Sequence, residues 1–268
     1  MVVGFVAWHG APHISLSRLF GEVSPWDAIS GTAPVFHGLW PAVAGTLALV
    51  CGTVALAAPL GLATGIYLAE FAPGRLKELL TVFFDVLAGV PSVVVGLFGF
   101  SMSLLLHKAV SPRLGPCLLV AVFSLNVLVL PYVIRATQSA LESVTPQVRL
   151  IALSLGADRV QNLAWVSIPH SLRGIASGLL LAIGRCAEDT AVILLTGVVV
   201  SAGVPRSVLD PFEALPFYIY YVSTQYASRE ELDRGFAAAM ILLGTSVTMF
   251  ALAYVVRRAV GHWALYRT

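Results

Sequence analysis

The sequence predicts an all-α fold, a polytopic bundle of membrane-spanning helices. Three observations carry this reading. Of 268 residues, 58% are hydrophobic and only 11% charged, with a mean hydropathy of +0.87. Soluble domains carry about 25% charged residues, so a chain this apolar cannot present a water-compatible surface as a single globule. Five stretches, 41–69, 82–106, 115–134, 174–200 and 235–256, each reach the roughly 20 apolar residues that a membrane helix needs. Finally, Lys and Arg divide unequally between alternate loops.

Taken in order, residues 1–8 (MVVGFVAW) are apolar but too short to span, and they lack the basic start of a signal peptide. They read as the end of a truncated N-terminal first helix, which makes five full spans plus a remnant. Residues 1–38 then form that remnant and an external loop. Residues 39–257 form the transmembrane domain, with a loop at 139–173 facing the cytoplasm, and 258–268 form a cytoplasmic tail. Pro59 lies inside the 41–69 span and Pro91 inside the 82–106 span, and both are expected as helix breaks. Such a break is either a simple kink or a bend that lines a pathway. Cys51, Cys117 and Cys186 fall in apolar segments without CxxC spacing and read as small buried hydrophobes.

Orientation follows from the basic residues of the loops. Arg75, Lys77, Arg135, Arg149, Arg159, Arg173, Arg257, Arg258 and Arg267 fall on one side. Arg18, Lys108, Arg113, Arg206, Arg229 and Arg234 fall on the other, diluted over longer segments and offset by acids. The first side is therefore expected to be cytoplasmic, with the protein in the cell (inner or plasma) membrane. The net charge of +2 and the absence of a basic stripe argue against nucleic acid as a partner.

Residues 150–169, LIALSLGADRVQNLAWVSIP, form a polar, helix-forming loop between two long apolar segments. A helix over 139–155 is expected to open at Ser139, with Glu142 completing a capping box, and to end at Gly156. Asp158 can cap a second short helix that runs to about Trp165 and is closed by Pro169. Two short helices meeting at a glycine make a compact wedge. Ala152 and Ala157 keep its bend small, and Leu150, Leu153, Leu155 and Trp165 offer apolar contact to a groove on a partner. The competing reading, an amphipathic helix lying on the bilayer, lacks a basic face.

Arg185, Glu188 and Asp189 fall inside the 174–200 stretch. Arg185 is 11 residues in, about 16 Å at 1.5 Å per residue, near the middle of a hydrocarbon core about 30 Å thick. Each ion there costs about 2.5–3.5 kcal/mol on insertion scales, and spacings of three and four let either acid pair with Arg185. One reading makes Arg185 the contact for a permeating anion, since its planar fork suits tetrahedral oxyanions. The other makes it part of a buried ion pair that orders the bundle. Asp85, near the start of the 82–106 stretch, is a further pathway candidate.

Four blocks bring a family into view: PLGLATGIYLAEFAP at 59–73, DVLAGVPSVVVGLFGF at 85–100, the loop at 149–169, and GRCAEDTAVILLTG at 184–197, supported by ALPFYIYYVSTQ at 214–225. Together they resemble the permease subunits of phosphate-specific ABC importers, PstA type. Ala152, Gly156 and Pro169 match the family's coupling loop, a Glu-Ala-Ala, Gly, Ile-x-Leu-Pro pattern. The family's usual Glu stands here as Leu150, and Asp189 takes the place of another usual Glu, beside Glu188 where a Gly is usual. The resemblance implies a type I ABC importer permease bundle and transport of phosphate by alternating access. It implies a PstC-type second permease, two ATP-binding cassette subunits that carry ATP and Mg, and an external phosphate-binding protein. Ala152, Gly156, Ala157, Asp158 and Pro169 would then couple to the ATPase. Alternatives are a permease for another oxyanion (sulfate, molybdate or phosphonate) or an ion-coupled secondary transporter. Gly-Lys never occurs, so the chain has no Walker A motif of its own; no HExxH or other metal motif and no catalytic residue is expected either.

Overall fold

No charged residue interrupts residues 40–66, so α4 (Trp40–Ile66) covers most of the first expected span, and a π turn at Tyr67–Phe71 completes it. The computed structural model describes residues 1–30, 35, 38–109, 115–200 and 202–265; Arg113 and Arg267 lie outside them. Short helices α1 (Val2–Gly10), α2 (Leu16–Phe20) and α3 (Pro25–Ser30) precede α4. There follow α5 (Gly74–Ala88), α6 (Ser92–Ala109), α7 (Leu118–Glu142), α8 (Pro146–Ser154), α9 (Arg159–Asn162) and α10 (Ile168–Glu188). The last are α11 (Thr190–Thr196), α12 (Leu215–Gln225) and α13 (Arg229–Leu265). Among the described residues, five helical stretches are long and apolar enough to cross a membrane: Trp40–Phe71, Ser92–Ala109, Leu118–Glu142, Arg159–Glu188 and Arg229–Val255.

Several boundaries differ from the sequence expectation, and proline explains most of them. At Pro59 the helix does not end, and α4 passes through it. Proline lacks an N–H and crowds the carbonyl four residues back, but leaving a helix in an apolar solvent strands more backbone groups than one proline does. Pro91, by contrast, lies between two helices. The 82–106 stretch is therefore not one span, since its first part belongs to α5 and only α6 continues. Proline disfavours helical backbone at the preceding residue, here Val90, while the Gly89 N–H bonds to the Val86 carbonyl and closes α5.

The 174–200 stretch also divides. One continuous helical run extends from Arg159 to Glu188, and Asp189 ends it. Asp189 adopts extended backbone (φ −75°, ψ 99°), and its Oδ1 accepts the Val192 N–H at 2.9 Å, the pattern of an N-cap. Nor does a helix open at Ser139. α7 runs on to Glu142, and α8 begins at Pro146 because Thr145 is held extended before it. Pro169 does not close a helix. The chain widens over Leu163–Ser167 into a π turn, in which Ile168 N–H bonds to the Leu163 carbonyl, and continues into α10. That wider turn accommodates the proline that follows it. A like turn at Tyr67–Phe71, closed by Ala72 N–H to the Tyr67 carbonyl at 2.9 Å, precedes Pro73.

The chain forms two compact units, with α4, α7, α10 and α13 each contributing to both. The first comprises residues 1–53, 91–125 and 186–247. In it the first-turn N–H groups of α7, Leu118 and Leu119, bond to the carbonyls of Asp210 and Val208, and Thr46 Oγ1 accepts the Leu215 N–H at 2.9 Å. Backbone donors that would be stranded at helix starts are thereby satisfied. Leu39, Ala42, Val43, Leu215 and Ala238 form its buried apolar cluster. Cys117 and Cys186 are buried as expected, but Cys51 is exposed on α4.

The second unit comprises 54–90, 126–185 and 248–268. Its centre is α7, approached closely by α4 and α10. A Cβ on Gly61 would lie 2.6 Å from Val133 Cγ1, and one on Gly65 2.6 Å from Thr137 Cβ. One on Gly174 would lie 2.6 Å from Ala140 Cβ. Small residues on both flanks let the three helices approach backbone to backbone, the packing that replaces hydrophobic drive inside lipid. Substituting Gly65 by Val should destabilise this unit by about 1–3 kcal/mol, the usual cost of overpacking. A fall in the thermal unfolding midpoint of the detergent-solubilised protein would register it, and an unchanged midpoint would contradict the packing.

Candidate functional site

One face of α7 carries Tyr132, Arg135, Gln138 and Glu142, and α5 meets it with Ala88, Asp85, Thr81 and Lys77 in antiparallel order. Tyr132 donates its hydroxyl to the Ala88 carbonyl at 3.1 Å. Arg135 Nε lies 2.8 Å from Asp85 Oδ1, and Arg135 Nη1 donates to Gln138 Oε1 at 3.0 Å. Gln138 Nε2 donates to Glu142 Oε1 at 3.0 Å and reaches Thr81 Oγ1 at 3.5 Å. Lys77 Nζ closes the series 2.6 Å from Glu142 Oε1. From Tyr132 to Glu142 this ladder covers about 15 Å of helix. Gln138 is buried, but the two ion pairs remain partly open, with side-chain exposures of 34% and 51% for Arg135 and Asp85.

Arg185 stands at the Tyr132 end. Its guanidinium lies over the Tyr132 ring, 5.7 Å from the centroid, in cation–π range. Arg185 is exposed and makes no ion pair within its own unit among the described residues. It sits three residues before the end of α10, not midway along a helix reaching residue 200. Glu188 is the exposed last residue of α10, and Asp189 is engaged as the cap of α11. Asp85, named from the sequence, thus lies on the same polar face as Arg185, through Arg135 and Tyr132.

At the Glu142 end the chain turns into α8 and α9. Gly156 has φ +88°, a left-handed conformation that favours glycine. Gly156 N–H bonds to the Leu153 carbonyl at 3.0 Å and Ala157 N–H to the Ala152 carbonyl at 3.1 Å, which together make a Schellman cap. Asp158 and Gln161 then form a reciprocal capping box, at 2.7 Å from Gln161 N–H to Asp158 Oδ1 and 2.9 Å from Asp158 N–H to Gln161 Oε1. Ala152 and Ala157 are half-buried, and Gly156 and Asp158 are exposed. Pro169 lies two residues past the π turn, half-buried. Leu150, Ile151, Leu155, Val160 and Trp165 are exposed, with Leu155 at 84% and Trp165 at 77%. That apolar surface sits on a rigidly capped pair of short helices.

Arg149 anchors the pair. Its Nη1 lies 2.6 and 2.8 Å from the two carboxylate oxygens of Glu70, and its Nη2 donates to the Leu141 carbonyl at 2.6 Å. Asn162 Nδ2 donates in turn to the Arg149 carbonyl at 3.3 Å. One guanidinium thus joins the π turn after α4, the last turn of α7 and α8. The sequence reading missed both this clamp and the α5–α7 ladder. A signal for the ladder existed in the polar spacing 132, 135, 138, 142, matched by 77, 81, 85, but reading 82–106 as one span hid α5 as a separate partner.

The first unit also holds a cavity of about 390 Å³, lined in part by Arg18, Glu22, Glu213, Glu230 and Arg234. None of the pathway or coupling residues expected from the sequence lines it. Burial raises the Glu213 carboxyl above its ordinary 4.5, only partly opposed by the Gly203 and Ala202 N–H groups it accepts. Among the described residues, no cluster of three His, Cys, Asp or Glu is placed to hold a metal ion.

Apolar helices broken at defined points, an exposed arginine on a polar interhelical face and a capped two-helix loop define a polytopic membrane transport component. Comparison with solved structures agrees on the fold. A bacterial ABC transporter involved in import of the acidic polysaccharide alginate superposes with a TM-score of 0.64 at 15% identity, covering 96% of this chain and 92% of that one. The inward-facing MetNI methionine ABC transporter gives 0.61 at 16%, covering 89% and 99%. The fold is therefore that of type I ABC importer permeases.

The family of binding-protein-dependent transport system inner membrane components matches residues 61–262, and the chain belongs to it. It is similar to the phosphate transport system permease protein PstA 1 of Mycobacterium tuberculosis, 33% identical over 227 residues, or 82% of this chain and 70% of that protein. PstA of Mycobacterium leprae is 31% identical over 254 residues, 90% and 80% respectively.

Two measurements test this geometry. In a double-mutant cycle, Glu70→Gln and Arg149→Met should couple by about 1–2 kcal/mol, as a half-buried charge-assisted pair does; additive effects would dissolve the clamp. For Glu213, the raised value means the fold favours the neutral acid, so its contribution is complete below pH 4.5 and is lost as pH rises through the higher folded value. Glu213→Gln should flatten that decline in thermal stability, and an unaltered pH profile would count against a partly buried carboxyl.

Proposed function

We propose that this chain is the membrane-spanning permease subunit of an ATP-driven importer and carries inorganic phosphate into the cell by alternating access. The observation that carries the reading is Arg185, an exposed cation three residues before the end of α10, held over an aromatic ring and not by a carboxylate of its own unit. A guanidinium in such surroundings must meet water or an anion, because exposure to lipid is costly, and its fork matches a tetrahedral oxyanion. The phosphate in the names of the similar proteins supports the choice of cargo.

The chain itself hydrolyses no ATP. Its partners are a PstC-type second permease, two ATP-binding cassette subunits that hold ATP and Mg, and an external phosphate-binding protein. The α8–α9 loop and the C-terminus face the cytoplasm. Ala152, Gly156, Ala157, Asp158 and Pro169 shape the loop that docks in a groove of the ATPase, with Leu150, Ile151 and Trp165 as its apolar contacts. Leu150 stands where the resemblance leads one to expect an acid, so docking here rests on shape and apolar area.

In proteoliposomes holding the whole complex, Arg185→Ala should abolish ATP-driven phosphate uptake while the subunits still copurify. Uptake at the wild-type rate would remove Arg185 from the pathway. A chain that copurifies with no ATPase would defeat the importer reading itself.

A further inference from the structure

We propose that Arg135, with Asp85 as its exchangeable counter-ion, is a second anion station between Arg185 and the α8 end of the ladder. This rests on the importer reading above, and it gives a role in the pathway to Arg135, which the sequence analysis used only to set orientation.

The argument begins with exposure. Asp85 and Arg135 form an ion pair at 2.8 Å, yet keep 51% and 34% of their side chains open. Arg135 belongs to a span of high mean hydropathy whose other side chains are mostly buried. An open charged pair on a membrane helix does not face acyl chains; it faces water or another polar surface. The pair also lies one helical turn from Tyr132, about 4.5 Å along α7, and Tyr132 carries Arg185 on its ring. An oxyanion leaving Arg185 towards the α8 end therefore meets Arg135 as its next cation. Lys77, paired with Glu142 and also partly open, follows at the end of the ladder.

The donor count fits a station better than a fixed staple. Arg135 uses Nε for Asp85 and Nη1 for Gln138 Oε1, which leaves guanidinium N–H groups available to a further acceptor. Asp85 neutralises the cation at rest and competes with an arriving anion for it. Binding at Arg135 is then favourable enough to draw the anion from Arg185 but weak enough to release it, as stepwise permeation requires. Gln138, buried and bonded to both Arg135 and Glu142, holds the guanidinium in place during the exchange.

The test uses the assembled complex in liposomes, ATP, and radiolabelled inorganic phosphate as the probe. Arg135→Gln should lower the maximal uptake rate by about tenfold or more, the weight of a lost charge-assisted contact, in complexes that still copurify with their ATPase subunits. Arg135→Lys should restore most of it. Asp85→Asn should lower both the maximal rate and KM, because release then lacks its competitor. The decisive variant is the neutral pair Arg135→Gln with Asp85→Asn. A Gln–Asn pair can still hydrogen-bond between helices, so recovery of uptake would show an interhelical staple, or a contact to the second permease, and overturn the station. Persisting loss supports it. Should Arg135→Gln fail to assemble, Asp85→Asn decides alone: an unchanged rate and KM overturn the proposal. Wild-type complex that moves another oxyanion but no phosphate would correct the cargo only, and the same variants would then be read on that anion.

Discussion

The polar face of α7 is the constraint around which the second unit is arranged. Tyr132, Arg135, Gln138 and Glu142 lie along one side of a mostly apolar helix, and a bilayer leaves such a face no inexpensive state unless each group has a partner. α5 supplies those partners in register: Ala88 carbonyl, Asp85, Thr81 and Lys77. The break at Gly89–Pro91 is what frees α5 to run back along α7 instead of continuing α6. On the other flanks, Gly61, Gly65 and Gly174 bring α4 and α10 close enough that their backbones pack directly on the same helix.

Proline acts in two distinct ways in this chain, and the neighbouring residues decide which. Pro91 stands between α5 and α6, and Pro146 follows an extended Thr145 and opens α8, so helices stop and start there. Pro59 and Pro131 sit inside α4 and α7 without ending either. Pro73 and Pro169 follow π turns, which absorb the altered winding. The second of those turns matters for the loop, since it makes α9 the beginning of α10 and not a detached element. Movement of the exposed apolar surface around Trp165 is thereby linked to the helix that carries Arg185.

Electrostatic economy joins the site to the loop. Arg185, Arg135, Lys77 and Arg149 form a descending series of cations, and the last three are each matched by one acid, Asp85, Glu142 and Glu70 respectively. The pairing tightens towards the loop. Arg149 and Glu70 are the least exposed pair, at 24% and 19%, and Arg149 also bonds the Leu141 carbonyl. Partly open pairs can exchange partners at little cost, whereas a doubly bonded, less solvated pair holds its geometry. The same chemistry thus leaves open, exchangeable pairs at one end and a rigid pair at the other.

Composition and apolar run length by themselves determined the all-α membrane class, because no other solvent suits a chain this hydrophobic. Local capping chemistry was equally legible. Gly156 and Asp158 behave as their residue types require, since a left-handed cap and an Asx N-cap depend on a few adjacent residues. Boundaries that depend on competition between segments were not legible. Ser139 and Glu142 fit a capping box on paper, but Glu142 is taken by Gln138 and Lys77, so α7 runs through. Asp189 looked like a partner for Arg185 and instead caps α11. Only the tertiary structure decided that Arg185 rests on Tyr132, that Arg135 meets Asp85 and that Arg149 meets Glu70. Those partners lie 53, 50 and 79 positions apart in the chain, and helical periodicity carries information over a few turns, not between helices.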